Sequence, residues 1–258
     1  HTGGSIMNPT YQSGFYAPGR GTALHPELWR GCVGAWNPGL GNSGLVLRDW
    51  SGSQNHGVLT NGPTWRVSGG QNALGMDGGS DYIAASAIKV PEITFEVWFY
   101  NVVVRSYQYF INMEPNYTMS VHFGPAGNLF LRGGSTASIS TSITAYLSKT
   151  QWAHLAVTIK GTSGAIFVNG VKIVTGTVAA MGASPTKTTF WGRSTSYDSN
   201  GSLGNFSVHS VALSDSTIQL LSKRPGIAYE LAPRKSYFLP PTTSVNISAN
   251  NMLIGTYL

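Results

Sequence analysis

Residues 164–174 read Gly-Ala-Ile-Phe-Val-Asn-Gly-Val-Lys-Ile-Val. Asn169-Gly170 stands between two runs rich in β-branched residues, and both tolerate the positive φ that a type I′ turn demands, so the stretch predicts a β-hairpin. Just upstream, residues 152–160 (WAHLAVTIK) place Ala153, Leu155, Val157 and Ile159 at every second position. Residues 92–100 (EITFEVWFY) repeat the pattern, with Ile93, Phe95, Val97 and Phe99 on one face and Glu96, Trp98 and Tyr100 on the other. Bulk on both faces predicts a strand in the middle of a two-sheet stack, because a strand facing water would show one polar face. Further strands are expected near 45–50, 55–60, 72–85, 107–113, 117–123, 127–132, 188–193 and 203–213. A dozen or so strands at spacings of about 8–12 residues point to a sandwich or jelly roll.

Composition agrees. Charged residues make up 10% of the 258, against about 25% in an ordinary soluble domain. The 32 Gly, 29 Ser and 23 Thr leave few helix formers and many turn residues. At 41% hydrophobic and 11% aromatic the chain has ample material for a core, which excludes disorder driven by charge and low hydropathy. Sixteen basic and 10 acidic residues give a net charge of +6, but the basic residues are scattered apart from Lys223-Arg224 and Arg234-Lys235. A nucleic-acid partner would call for a basic face or stripe, so none is expected. A single cysteine, Cys32, excludes an internal disulfide framework and a cysteine-built zinc site; it reads as a small apolar residue. No run approaches 18 apolar residues, so membrane insertion by a helix is not expected. No basic segment followed by an apolar run opens the sequence, which leaves export open.

Residues 1–30 carry Gly3, Gly4, Pro9, Gly14, Pro18, Gly19, Gly21 and Pro26 with no period of 2 or 3.6, and read as an extended arm. One short helix is predicted near the C-terminal end: Ser214 caps it, Asp215 suits its positive end, Ile218, Leu220 and Leu221 form its stripe, and Pro225-Gly226 stops it. Residues 225–258 are irregular again. The expected layout is one domain over 31–224 with an arm at each end, 1–30 and 225–258.

With these runs placed, the chain resembles the laminin-G-like, concanavalin A-like jelly-roll family. The resemblance lies in Leu47-Arg48-Asp49-Trp50-Ser51-Gly52 with Asn55-His56-Gly57, Met76-Asp77-Gly78 with Asp81-Tyr82, Trp152-Ala153-His154-Leu155-Ala156-Val157-Thr158, Phe167-Val168-Asn169-Gly170, and Ala212-Leu213-Ser214 before the helix. It covers about 190 residues. It implies an all-β fold of two antiparallel sheets with six or seven strands each, and says little about function, because this sandwich hosts lectins, glycan hydrolases, adhesion modules and structural parts. It also implies a rim calcium ion, held by Asp carboxylates and carbonyl oxygens. Calcium is therefore a candidate ligand at Asp49, Asp77 and Asp81, with Asn55 as a neutral donor; the alternative is that Asp49 and Asp77 satisfy turn amides.

Catalytic patterns are thin. Glycoside hydrolysis needs two carboxyls about 5–9.5 Å apart, whereas Glu92 and Glu96 on one strand stand about 13 Å apart. No Gly-x-Ser-x-Gly elbow occurs, and the six histidines are dispersed, with His154 reading as a structural strand residue and His56 as a turn residue. The chain is therefore expected not to be an enzyme. Glycan binding would need rings for sugar C–H faces beside hydrogen-bonding groups. Trp98, Tyr100, Tyr107 and Tyr109 are the strand candidates, and Trp65, Trp191 and Tyr197 the loop candidates; the alternative places Trp98 and its neighbours between sheets or under loops.

The arms favour a structural or surface-display role. The leading expectation is a jelly roll decorating a larger assembly, of the kind found on a bacteriophage-type virion, tied to other protein subunits by residues 1–30 and 225–258 and able to bind glycans. The alternative is a secreted carbohydrate-binding or adhesion module. The expected location is a virion surface or the extracellular space.

Overall fold

In Glu92–Tyr100 (β7) the alternation resolves onto two buried faces: Ile93, Phe95, Val97 and Phe99 enter the space between two sheets, and Thr94, Glu96 and Trp98 face outward yet are also covered. The computed structural model describes residues 23–232, apart from 42, 101–103, 105, 116–117, 125–126, 135, 148–149, 183 and 194–199. The first sheet runs in the order β14 (Val171–Thr177), β13 (Ser163–Val168), β12 (Trp152–Lys160), β7, β16 (Asn200–His209), β5 (Gln71–Asp77) and β4 (Thr64–Ser68). β1 (Cys32–Trp36) joins the other end of β16. The second sheet runs β11 (Ser138–Ser142), β10 (Asn128–Arg132), β9 (Met119–Phe123), β8 (Tyr109–Glu114), β15 (Lys187–Phe190), β6 (Tyr82–Ala85), β3 (Gly57–Thr60) and β2 (Val46–Leu47). Every pairing among them is antiparallel. The fold is thus the expected all-β, two-sheet jelly roll, with eight strands in each sheet rather than six or seven.

The core between the sheets is aromatic. Trp36 is fully buried, stacked on Phe206 at 4.9 Å and tilted against Phe190 at 4.8 Å, while Phe99 packs on Phe110 at 5.2 Å. The β13–β14 hairpin turns at Asn169 (φ 49°) and Gly170 (φ 79°), as the Asn-Gly pair predicts. Asn169 adds a local tie: its side-chain oxygen accepts from the His154 amide (2.9 Å) and its own amide donates to the His154 carbonyl (2.8 Å). The predicted helix spans Asp215–Leu221 (α1), with Ser214 Oγ accepting from the Thr217 amide. Ile218 and Leu221 bury against Ala156, Ala165 and Phe167 on the outer face of the first sheet, and Leu220 is only partly covered.

The ends of the described chain are folded, which extends the body past the 31–224 expected from sequence. Residues 26–29 and 227–229 form two 3-10 turns that lie on the outer face of the first sheet. Leu28 is 1% exposed, the Trp29 indole donates to the Ala228 carbonyl (2.7 Å), and its ring meets Tyr229 edge-on at 5.3 Å. An antiparallel bridge, Ala23 to Leu231, brings both ends together. Single 3-10 turns bury apolar residues without a period of 2 or 3.6, so alternation cannot reveal them. The rest of the expected arms, 1–22 and 233–258, lies outside the described residues.

Candidate functional site

The four strand aromatics do not share one platform. Trp98 and Tyr100 face outward from the first sheet, and Tyr109 belongs to β8 of the second. Trp98 is 5% exposed, packed on the His154 ring at 5.1 Å, and Tyr109 is 2% exposed, stacked on His122 at 4.7 Å. Both are corrected from exposed contacts to covered ones. Tyr107 is exposed at the start of the second-sheet segment, and Tyr100 is half-buried. Among the loop aromatics, Trp191 is a core residue against Phe99 and Phe110, Trp65 donates to the Gly44 carbonyl at the sandwich edge, and Tyr197 lies outside the described residues.

What the first sheet does assemble is a row that local sequence hides. Strand register aligns Trp152 with Tyr100, Tyr100 with Ser202, and Ser202 with Gly75. Directly paired residues point to the same face, so these four positions cross four neighbouring strands on the outer surface. Tyr100 and Trp152 are half-buried, with ring centroids 5.5 Å apart. Two glycines permit this: a Cβ at Gly204 would lie 2.8 Å from the Trp152 ring, and one at Gly69 would lie 2.7 Å from Tyr100 and 2.9 Å from Trp152 Nε1. Gly75 leaves its place in the row to the Arg66 side chain. The Arg66 guanidinium donates from Nε to Ser202 Oγ (3.1 Å) and from one Nη to Ser202 Oγ (2.8 Å) and the Gly201 carbonyl (2.6 Å), and Ser68 Oγ closes the group at 2.7 Å from Ser202 Oγ. The indole N–H groups of Trp98 and Trp152 are buried and have no hydrogen-bond partner among the described residues. The result is a half-exposed aromatic pair beside hydroxyls and a fixed cation, the set that sugar C–H faces and hydroxyls require.

A second polar group sits further along the same face, beneath the two 3-10 turns. Glu96 is 2% exposed; its Oε2 lies 3.2 Å from His154 Nε2 and its Oε1 accepts from Ser207 Oγ at 2.7 Å. Ser207 Oγ is also 2.9 Å from His209 Nε2, and His209 Nδ1 is 3.0 Å from the Arg30 carbonyl. Burial lowers the His209 pKa, outweighing the Arg30 carbonyl and Glu96, which raise it; burial likewise pushes the Cys32 thiol and the Tyr229 phenol up. The space enclosed among Glu96, Ser207, His209, Cys32 and Tyr229 is about 10 Å³, which admits one water at most and no sugar ring. Elsewhere an open cleft of about 360 Å³ is lined mainly by Ile88, Val90, Met113 and Met181, with Lys89 its one charged wall.

The calcium candidates do not fit a shared ion. Asp49 is buried and fully used: Oδ1 accepts from the amides of Ala35 (2.9 Å) and Ser51 (2.8 Å), and Oδ2 from Ser51 Oγ and the Asn55 amide, both 2.9 Å. The His56 ring accepts from the Asp49 amide at 3.1 Å, so the segment is a self-satisfied turn. Asp77 Oδ1 accepts from the Gly79 amide (2.6 Å), and Asp81 Oδ2 from the Asp77 amide (3.1 Å). Among the described residues no three His, Cys, Asp or Glu side chains gather to hold a metal ion.

Two eight-stranded antiparallel sheets packed face to face, with a helix on one outer surface, define a lectin-type jelly roll. The family model described as the concanavalin A-like lectin/glucanases superfamily matches residues 77–219, and the chain belongs to that family. No curated protein matches the sequence. Among solved structures, the binding domain of Paraclostridial Mosquitocidal Protein 1 is similar at a TM-score of 0.61 and 17% identity, over 76% of this chain and 52% of that one. Domain 4 of AbnA, a GH43 extracellular arabinanase from Geobacillus stearothermophilus in complex with arabinotriose, matches at 0.60 and 15%, over 76% and 98%. Trypanosoma rangeli sialidase matches at 0.59 and 15%, over 74% and 33%. The chain thus spans about half of the mosquitocidal-protein binding domain and a third of the sialidase, and identities this low show the fold alone.

Proposed function

We propose that the protein is a non-catalytic carbohydrate-binding module whose ligand lies across Trp152, Tyr100 and Arg66, with the covered Ser202 holding Arg66 from beneath. The observation that carries the reading is the row itself: two half-exposed rings and a cation, the latter fixed on the Ser202 hydroxyl, brought by register onto one outer face. The similarity to an arabinanase domain solved with arabinotriose supports it. A non-catalytic role is supported by the carboxylates: Glu96 is sealed beneath the 3-10 turns, and Glu92 lies 3.9 Å from Lys160. Affinity electrophoresis through gels containing a panel of plant and microbial polysaccharides tests the reading. At least one polysaccharide retards the protein, and Tyr100→Ala or Trp152→Ala lowers affinity about tenfold or more, as for central aromatic contacts. Retardation unchanged in both variants overturns the assignment to this face.

An assembly role remains a second reading because the described chain enters at Ala23 and leaves beyond Leu231 side by side, joined by the bridge and by the Leu24 amide donating to the Glu230 carbonyl (2.7 Å). Residues 1–22 and 233–258 attach to the body at one place, which suits anchoring to other subunits of a particle such as a phage-type virion, or to an extracellular assembly. Removing both segments abolishes incorporation if this holds; a truncated protein that still joins its assembly ends it.

A further inference from the structure

We infer that the sugar taken at this face is acidic, with its carboxylate held by Arg66; the inference rests on the carbohydrate reading and adds the charge of the ligand. Arg66 is exposed, yet three hydrogen bonds to Ser202 and Gly201 hold its guanidinium in one place, and Ser202, 1% exposed, is a rigid base for them. Those bonds use Nε and one Nη, leaving the other Nη without a bond among the described residues. Among the described residues no carboxylate pairs with Arg66: Asp77, two positions along β5 from Gly75, spends Oδ1 on the Gly79 amide. A fixed guanidinium with no counter-ion among the described residues presents N–H groups in the planar array that suits a carboxylate. Ser202 links it to the ring pair, because Ser202 is the register partner of Tyr100 and the bonding partner of Arg66. A pyranose lying on Tyr100 and Trp152 therefore puts an acidic substituent within reach of Arg66.

The same chemistry comes from an in-chain uronate or from a terminal sialate, and two ligand pairs separate them. Calorimetric titration of the full chain uses oligogalacturonate against its methyl ester, and sialyllactose against lactose. One acid binds about tenfold or more tightly than its neutral counterpart, as a charge-assisted hydrogen bond requires; the pair that shows this names the source. Arg66→Gln abolishes that preference, so that the acidic and neutral forms bind alike. Arg66→Lys restores less than the full preference, because it keeps the charge but loses the fork. Lys89→Gln, at a cation on another face with no ion pair among the described residues, changes neither. Equal binding of acid and neutral forms with Tyr100→Ala still weakening both overturns the inference and leaves the carbohydrate reading standing. An equal loss from Lys89→Gln and Arg66→Gln also overturns it, as general attraction to a +6 protein. No binding of any of the four, while a polysaccharide of the gel panel still retards the protein, overturns the inference alone; no retardation by any of the panel overturns the carbohydrate reading with it.

Discussion

Ser207 has one hydrogen and two acceptors within reach, Glu96 Oε1 at 2.7 Å and His209 Nε2 at 2.9 Å. His209 Nδ1 faces a carbonyl and so carries a hydrogen, which means the chain from Glu96 to His209 closes only when one further proton is shared along it. A group this interdependent, sealed from water, is structural. Glu96→Ala strands Ser207 and His154 and is expected to cost about 3–5 kcal/mol, read by denaturant unfolding; a cost below about 1 kcal/mol would contradict the geometry. On the second sheet, burial first and then Arg132 pull the His122 pKa down to about 4 from 6.5. The folded state therefore refuses a proton that the unfolded chain accepts. Its contribution is complete above pH 6.5 and is lost as pH falls toward 4, about 3 kcal/mol in all. His122→Phe, which keeps a ring between Tyr109 and Phe130, is expected to flatten the fall in melting temperature over that window; an unchanged slope refutes the assignment. These residues also mark what sequence withholds. Alternation placed Glu96, Trp98 and His154 on an outward face correctly, but an outward face is open only if nothing covers it, and the cover comes from residues 23–30 and 225–232.

At the scale of elements, legibility followed period and turn chemistry. β7, β12 and the β13–β14 hairpin were readable because alternation and an Asn-Gly turn each have one structural solution. β11 (SISTS) was not, since it is an edge strand with Ile139 its one apolar residue, and β4 (TWRVS) is likewise an edge whose inward Trp65 is only half-buried. β4 is also the element that sequence could not connect to the site: Arg66 reaches Ser202 across 136 residues of chain. The turn that ends β4 should matter for binding more than for folding. Gly69 (φ 52°) lies against both site rings, so Gly69→Ala strains a positive-φ position by about 1 kcal/mol and displaces Tyr100 or Trp152. The expected readout is a modest drop in melting temperature with a tenfold or larger loss of affinity; full affinity would show that the rings have room to spare. Ser214→Ala removes the α1 cap for about 1 kcal/mol and leaves binding untouched, a control on the far part of the same face.

For the whole molecule, the first sheet divides its outer surface between two tasks. One part is covered by α1 and the 3-10 turns, which bury Leu28, Leu213, Ile218 and Ile227 and shut the Glu96 group away. The other carries the half-exposed rings and Arg66. A chain ending at residue 224 loses the cover from one side and is expected to unfold at markedly lower temperature, because Ile227 and the Trp29–Tyr229 contact go with it. The central claim is that carbohydrate lies on the uncovered part. The direct measurement is a titration of the isotope-labelled protein with oligosaccharide, following the indole N–H resonances of its seven tryptophans. The account predicts a saturable shift at Trp152, whose half-buried ring pairs with Tyr100 in the row, with the core indoles of Trp36 and Trp191 unmoved. Binding that leaves Trp152 still, or that shifts only other tryptophans, would contradict it.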